Sequence, residues 1–277
     1  MKMTPLWAPV DPSLATSLAD ARRQLHHAVQ FATAIGISYL PHSADDSHTT
    51  LEWLPAHGAL ASHGVPSPAA TIRLAVRVMD LALLLLSGER VTASYTLTGR
   101  TIEQATVWLR QELAQVGVDA DTYTLARHYD IPPHPVESGE SFSADAERLA
   151  QLQRWMGNAS SALEATRAAT NGEAVRCWPH HFDIATLVTV RPGVTLGVGL
   201  EPGDGYYDEP YFYVNAHPEP SLDALTDSLE GGGQWHTREW IGAVLPGSLL
   251  SQDAGQQESQ VRAFLDSAVR ACGKLVS

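Results

Sequence analysis

Apolar positions at spacings of three and four open the chain: Leu14, Leu18, Ala21, Leu25, Ala28, Ala32 and Ile35 fall on one side of a helix. Asp11-Pro12 marks its start, because Asp caps free amides and Pro at the first helical position gives up no bond, and Gly36 is expected to stop it. Adjacent helical residues diverge by about 100°, so at most one of His26 and His27 should face the core. From Thr49 the period changes to two. Thr49 to Leu54 and Ala59 to His63 are short strands, and Ile72, Leu74, Val76 and Val78 alternate with Arg73, Ala75 and Arg77. Leu81 to Leu86 is apolar on both faces, and Ser87-Gly88-Glu89 turns it into Arg90 to Leu97, completing an antiparallel meander. Thr101 and Gln104 form a capping box for a helix with the face Ile102, Ala105, Leu109, Leu113 and Val116, stopped by Gly117. Val118 to Arg127 is a further candidate strand.

The extended, aperiodic stretch from Pro132-Pro133-His134-Pro135 to Gly139 reads as a linker, which sets the expected halves at 1–137 and 138–277. Beyond it the pattern repeats. Ser143 is the expected cap of a second helix with Leu149, Leu152, Met156, Ala159 and Leu163 on one face. Strands follow at 175–190, broken at Pro179, and at 195–200, 211–216 and 240–245, with Gly231-Gly232-Gly233 as a loop before Trp235. A last helix carries Val261, Phe264, Leu265, Ala268 and Cys272 and should close at Gly273. The fold class is therefore α+β, two similar helix–antiparallel-sheet–helix halves. Asp20-Ala21 and Trp53 align with Asp145-Ala146 and Trp178, but such sparse identity fits a pseudo-repeat and two unrelated units of the same pattern equally.

Charge and cysteine usage narrow the function classes. The 277 residues carry 18 Lys plus Arg against 31 Asp plus Glu, a net charge of −13, which argues against nucleic acid and anionic membrane surfaces as partners. Cys177 and Cys272 form no metal-binding or disulfide pattern, and no apolar run is long enough to span a bilayer, so a cytoplasmic protein is expected. Met1 to Trp7 has none of the continuous apolar character of a secretory leader.

The candidate chemistry concentrates between Cys177 and Trp240. Strand parity would put His181 and Asp183 on one face, half of a two-histidine, one-carboxylate metal site, with His217 and His236 as candidates to complete it. The His-x-Asp…His order resembles that of iron oxygenases using 2-oxoglutarate, although the Arg that follows the distal His in that family has no counterpart near Val244-Leu245-Pro246. A divalent transition metal, iron or zinc, is the cofactor such a set would take; without a metal, His180, Asp208, Glu209, Tyr213 and Glu239 are the acid–base candidates. Tyr211, Tyr213, Asn215 and His217 should line one strand face as a pocket wall, and Phe212, Val214 and Ala216 the core face.

Taken together, Trp178-Pro179-His180-His181-Phe182-Asp183, Tyr207-Asp208-Glu209-Pro210-Tyr211 and Trp235-His236-Thr237 resemble a group of uncharacterised bacterial proteins of unknown function. A more distant uncharacterised set shares the Phe182 to Ala185 core and the Pro218-Glu219-Pro220 turn. This resemblance implies a helix-then-meander first half and carries no activity. Two readings result: a small-molecule enzyme, or enzyme-like pocket protein, with a His and carboxylate site and open metal dependence, or a non-catalytic ligand-binding or homodimeric module.

Overall fold

A computed structural model describes residues 7–276, so the reading of Met1 to Leu6 lies outside the described residues. The fold is α+β with two antiparallel sheets. Two compact units divide the chain, one formed by Asp20–Gln153 with Cys177–Phe182, the other by Met1–Ala19, Arg154–Arg176 and Asp183–Ser277.

The first of these is built on α1 (Ala19–Tyr39), which follows a short 3-10 turn, Pro12–Ser17, capped by Asp11. Gly36 does not stop the helix. Both His26 and His27 are buried, contrary to the expectation that one would face outward, because Ala21 to Gly36 is enclosed on nearly every side. Each imidazole is satisfied: His26 Nε2 donates to the Pro179 carbonyl at 2.8 Å and His27 Nε2 to that of Pro132 at 3.1 Å. The meander forms as expected, in the order β1 (Glu52–Leu54), β2 (Ala59–Ala61), β4 (Thr71–Arg77), β5 (Ala82–Ser87), β6 (Arg90–Thr96), with β3 (Val65–Pro66) also on β4. β5 is buried on both faces, one of them through Ala59, Ala61, Ala75, Leu84 and Leu86. The capping box at Thr101 opens α2 (Ile102–Gln115) with both reciprocal bonds.

Val118 to Arg127 is not a strand. It runs along α1 through side chains instead: Tyr39 donates to the Asp119 carbonyl, Tyr123 to that of Phe31, and Thr124 N–H to Ser38. The bonds to the Asp119 carbonyl and from the Thr124 N–H satisfy backbone groups of the segment, and the Tyr123 bond anchors it to α1.

α3 (Ala146–Thr170) is capped by Asp145, which accepts from Arg148 N–H at 3.0 Å, rather than by Ser143. β7 (Arg176–Trp178) follows it. In the other unit the sheet path runs β11 (Gln234–His236), β12 (Gly242–Pro246), β10 (Tyr211–His217), β9 (Val194–Glu201), β8 (Asp183–Arg191). α4 (Ala254–Leu275) continues past Gly273 and packs on β9, β10 and β12. Phe212, Val214, Val198 and Leu200 are fully buried on the strand parity expected for the core. Among the described residues no helix is long and apolar enough to cross a membrane. Neither cysteine is in a disulfide and both are buried, and burial pushes Cys272 up to about 12, which leaves it no thiolate for chemistry near neutrality.

Candidate functional site

The loop between α1 and β1 carries the grouping best suited to a metal. The chain leaves the helix at Tyr39, and Asp45 folds the loop by accepting from Ser43 Oγ at 2.6 Å and Ser47 N–H at 3.1 Å. Asp46 then adopts a left-handed conformation, φ 57°, which Asp tolerates better than most residues, and its carbonyl accepts from Thr49 N–H at 2.9 Å. Ser47–Thr49 make a single 3-10 turn whose Ser47 carbonyl accepts from His63 Nε2 at 2.9 Å. Gly36 admits this loop against the helix: a Cβ there would lie 2.1 Å from the His48 carbonyl oxygen.

These constraints bring ligand atoms of His42, Asp46 and His48 within 4.8 Å of one another. The His42 and His48 rings meet edge to face at 5.1 Å. Burial, and next the neighbouring His42, lowers the His48 pKa and favours the neutral imidazole, the form that ligates a metal. His128 donates from Nε2 to Asp46 Oδ1 at 2.9 Å, fixing the carboxylate as outer partners of metal ligands do. Two imidazoles and a carboxylate suit a divalent ion such as zinc or iron, which takes N and O donors at roughly 2.0–2.2 Å.

The same unit holds His180 and His181, and it corrects the parity expectation that joined His181 to Asp183. Pro179 to Phe182 form a turn rather than strand: the Trp178 carbonyl accepts from His181 N–H at 3.2 Å and Phe182 N–H at 2.6 Å, and Phe182 has φ 73°. A bulky residue there is strained, at a cost on the order of 1–3 kcal/mol. The turn is held by α1, where His26 and Gln30 both donate to the Pro179 carbonyl and the His26 ring stacks on Phe182 at 4.6 Å. It sets His180 against Tyr129 at 5.7 Å and His181 at 4.4 Å. Burial lowers the His180 pKa first, then the neighbouring His181, while Asp46 opposes the shift and His128 adds to it.

Asp183, His217 and His236 belong to the other unit. There Tyr213 donates to Asp183 Oδ2 at 2.5 Å, with its ring lying flat across β9 where a Cβ on Gly199 would fall 2.6–2.7 Å from ring atoms. Burial and then Asp183 raise the Tyr213 pKa well above its ordinary value, keeping the phenol a donor. Tyr211 donates to Asp204 Oδ2 at 2.7 Å on the same face. His236 is buried and spends both nitrogens, Nε2 on the Arg238 carbonyl at 2.5 Å and Nδ1 on the Tyr207 hydroxyl at 2.9 Å, while its ring stacks on Trp240 at 4.3 Å. Glu209 accepts from Ser248 N–H and Oγ, which ties down the turn it belongs to. His217, Asp208 and Glu239 are exposed, Glu239 with φ 68°. Tyr213→Phe removes the donor to Asp183 and is expected to cost about 1–3 kcal/mol, read by urea denaturation at pH 7; an unchanged midpoint would contradict a structural role for this bond.

Sequence pattern passed over His42, Asp46, His48 and His128. No periodicity marks them, and their convergence depends on one left-handed residue and one helical glycine. Comparison with known proteins adds no identity to this geometry: no protein family, no curated protein and no solved structure matches the chain.

Proposed function

We propose that the protein is a divalent-metal-dependent enzyme acting on a small molecule, with His42, Asp46 and His48 holding the ion. The observation that carries this reading is the approach of three such ligand atoms within 4.8 Å on a loop pinned by its own hydrogen bonds. Three protein ligands leave coordination positions open for water or substrate, the arrangement of catalytic rather than structural sites. A zinc or iron ion there would supply Lewis acidity and an activated water. His128 orients Asp46, and His180 is the nearby imidazole kept neutral and able to accept a proton. The spent nitrogens of His236 favour a packing role for the Trp235 to Trp240 segment.

Calorimetric titration of the EDTA-treated protein with zinc and with manganese tests the reading. One site per chain is expected, with affinity reduced at least about tenfold by Asp46→Asn and also reduced by His128→Ala, the latter within the 10–100-fold range of outer-partner losses. Equal affinity in the wild type and Asp46→Asn would reject it.

A further inference from the structure

A cavity of about 280 Å³ lies in the α1 unit, walled by α1 and the segment that carries His128. It is distinct from the metal grouping, and none of the chemistry described above uses it. Tyr129 gives it aromatic surface, with Ile102 and Leu125 extending the apolar part; Phe31 also borders it but is only 1% exposed. Its ionisable groups are His27, Arg127, Asp130 and Glu137.

The charge balance is decided by pairing. The Arg127 guanidinium donates to Glu137 at 2.6 Å, so these two neutralise each other. His27 contributes no charge, since burial lowers its pKa and its Nε2–H is committed to the Pro132 carbonyl. What remains is the exposed carboxylate of Asp130. An anionic ligand would meet the carboxylates of Asp130 and Glu137 against the single positive charge of Arg127, whereas a cation meets an exposed carboxylate on a wall that also carries the Tyr129 ring. The volume lies near the lower end of small-molecule pockets, roughly 300–1,000 Å³, which limits the ligand to a compact one.

We propose that this cavity binds a small organic cation, a primary amine on a compact apolar or aromatic body, with its ammonium at Asp130 and its body against Tyr129, Ile102 and Leu125. Tyr129 is held in place by its hydroxyl, which donates to Oε1 of Gln30, another residue of the cavity wall, at 2.8 Å. Its ring also neighbours those of His128 at 5.1 Å and His180 at 5.7 Å, so a bound amine shares a wall with the histidine cluster. The proposal does not depend on the metal.

Calorimetry on the full chain in EDTA, with phenethylamine, 2-phenylethanol and phenylacetate as probes of matched size and different charge, tests it. The amine is expected to bind, the alcohol and the carboxylate to bind at least about tenfold more weakly, and added salt to weaken the amine. Asp130→Asn should lower amine affinity by about tenfold and Asp130→Glu restore most of it. Phenylacetate binding as tightly as the amine, an amine affinity unchanged by Asp130→Asn, or no binding of the amine at millimolar concentration would each overturn the proposal. Comparing the three probes on the unsubstituted chain keeps the test decisive even if a variant fails to fold.

Discussion

Gly36→Ala is expected to destabilise the protein by about 1–3 kcal/mol and to weaken metal binding at the α1–β1 loop by at least about tenfold. In an ordinary helix interior the same change would stabilise by up to about 1 kcal/mol, because alanine is the better helix former. Here the new methyl would stand 2.1 Å from the His48 carbonyl oxygen and 3.2 Å from the Thr49 Cα, both backbone atoms that no rotamer change can move aside. Relief requires the loop to lift from the helix. That movement displaces His48, and it strains the bond from Thr49 N–H to the Asp46 carbonyl and the bond from His63 to the Ser47 carbonyl. Steric cost therefore outweighs helix propensity, and it falls on the proposed ligands. Thermal melts and zinc calorimetry on the variant check both effects; a melting temperature at or above that of the wild type, with unchanged zinc affinity, would refute this role for Gly36.

Stability in metal-free buffer is expected to fall as pH drops below about 6.5, by about 2 kcal/mol by pH 5 from His26 alone. Burial lowers the His26 pKa to about 3, against an ordinary value of 6.5 that applies once the chain unfolds. Between those two values the unfolded state binds a proton that the folded state refuses, so unfolding gains free energy as pH falls. The contribution is fully present above pH 6.5 and is lost progressively toward pH 3. His27, lowered chiefly by burial as well, acts in the same direction. The mechanism is local: a protonated His26 would carry charge among Phe182, Gln30 and the Pro179 carbonyl, where the neutral ring now stacks and donates. His26→Gln should flatten the dependence of melting temperature on pH between 6.5 and 5, and parallel curves for the two proteins would contradict the assignment.

Much of the fold was legible because its periods are clean. The alternation from Ile72 to Val78, the apolar run ending at Leu86 and the Thr101–Gln104 capping box each specify an element through local chemistry, and each appears near its expected place, although Val78 opens a 3-10 turn instead of continuing the strand. Tyr211, Tyr213 and Asn215 against Phe212, Val214 and Ala216 likewise resolve into polar and core faces, since β10 is regular over its whole length. The failures occur where side chains replace backbone pairing. Residues 118–127 bond to α1 through Tyr39, Tyr123 and Ser38, and the turn at Pro179 is held by His26 and Gln30, which are distant in sequence. Strand parity has no purchase on such a turn.

The candidate site divides in the same way. A two-histidine, one-carboxylate donor set was the expected chemistry, and the fold does contain a grouping of that composition able to hold a divalent metal, in His42, Asp46 and His48. Its location was hidden because Gly36 reads as a helix stop when its role is close approach. A glycine within the apolar run Ala34-Ile35-Gly36-Ile37 was the one available signal that another backbone passes against the helix.

The metal content of protein purified without a polyhistidine tag, after equilibration with zinc and removal of excess ion, tests the proposed centre most directly. One zinc per chain is expected in the wild type and in the double variant His181→Ala with His236→Ala, and well below half in the double variant His42→Ala with His48→Ala. A wild type without stoichiometric metal, or the opposite ranking of the two double variants, would contradict a metal centre at His42, Asp46 and His48.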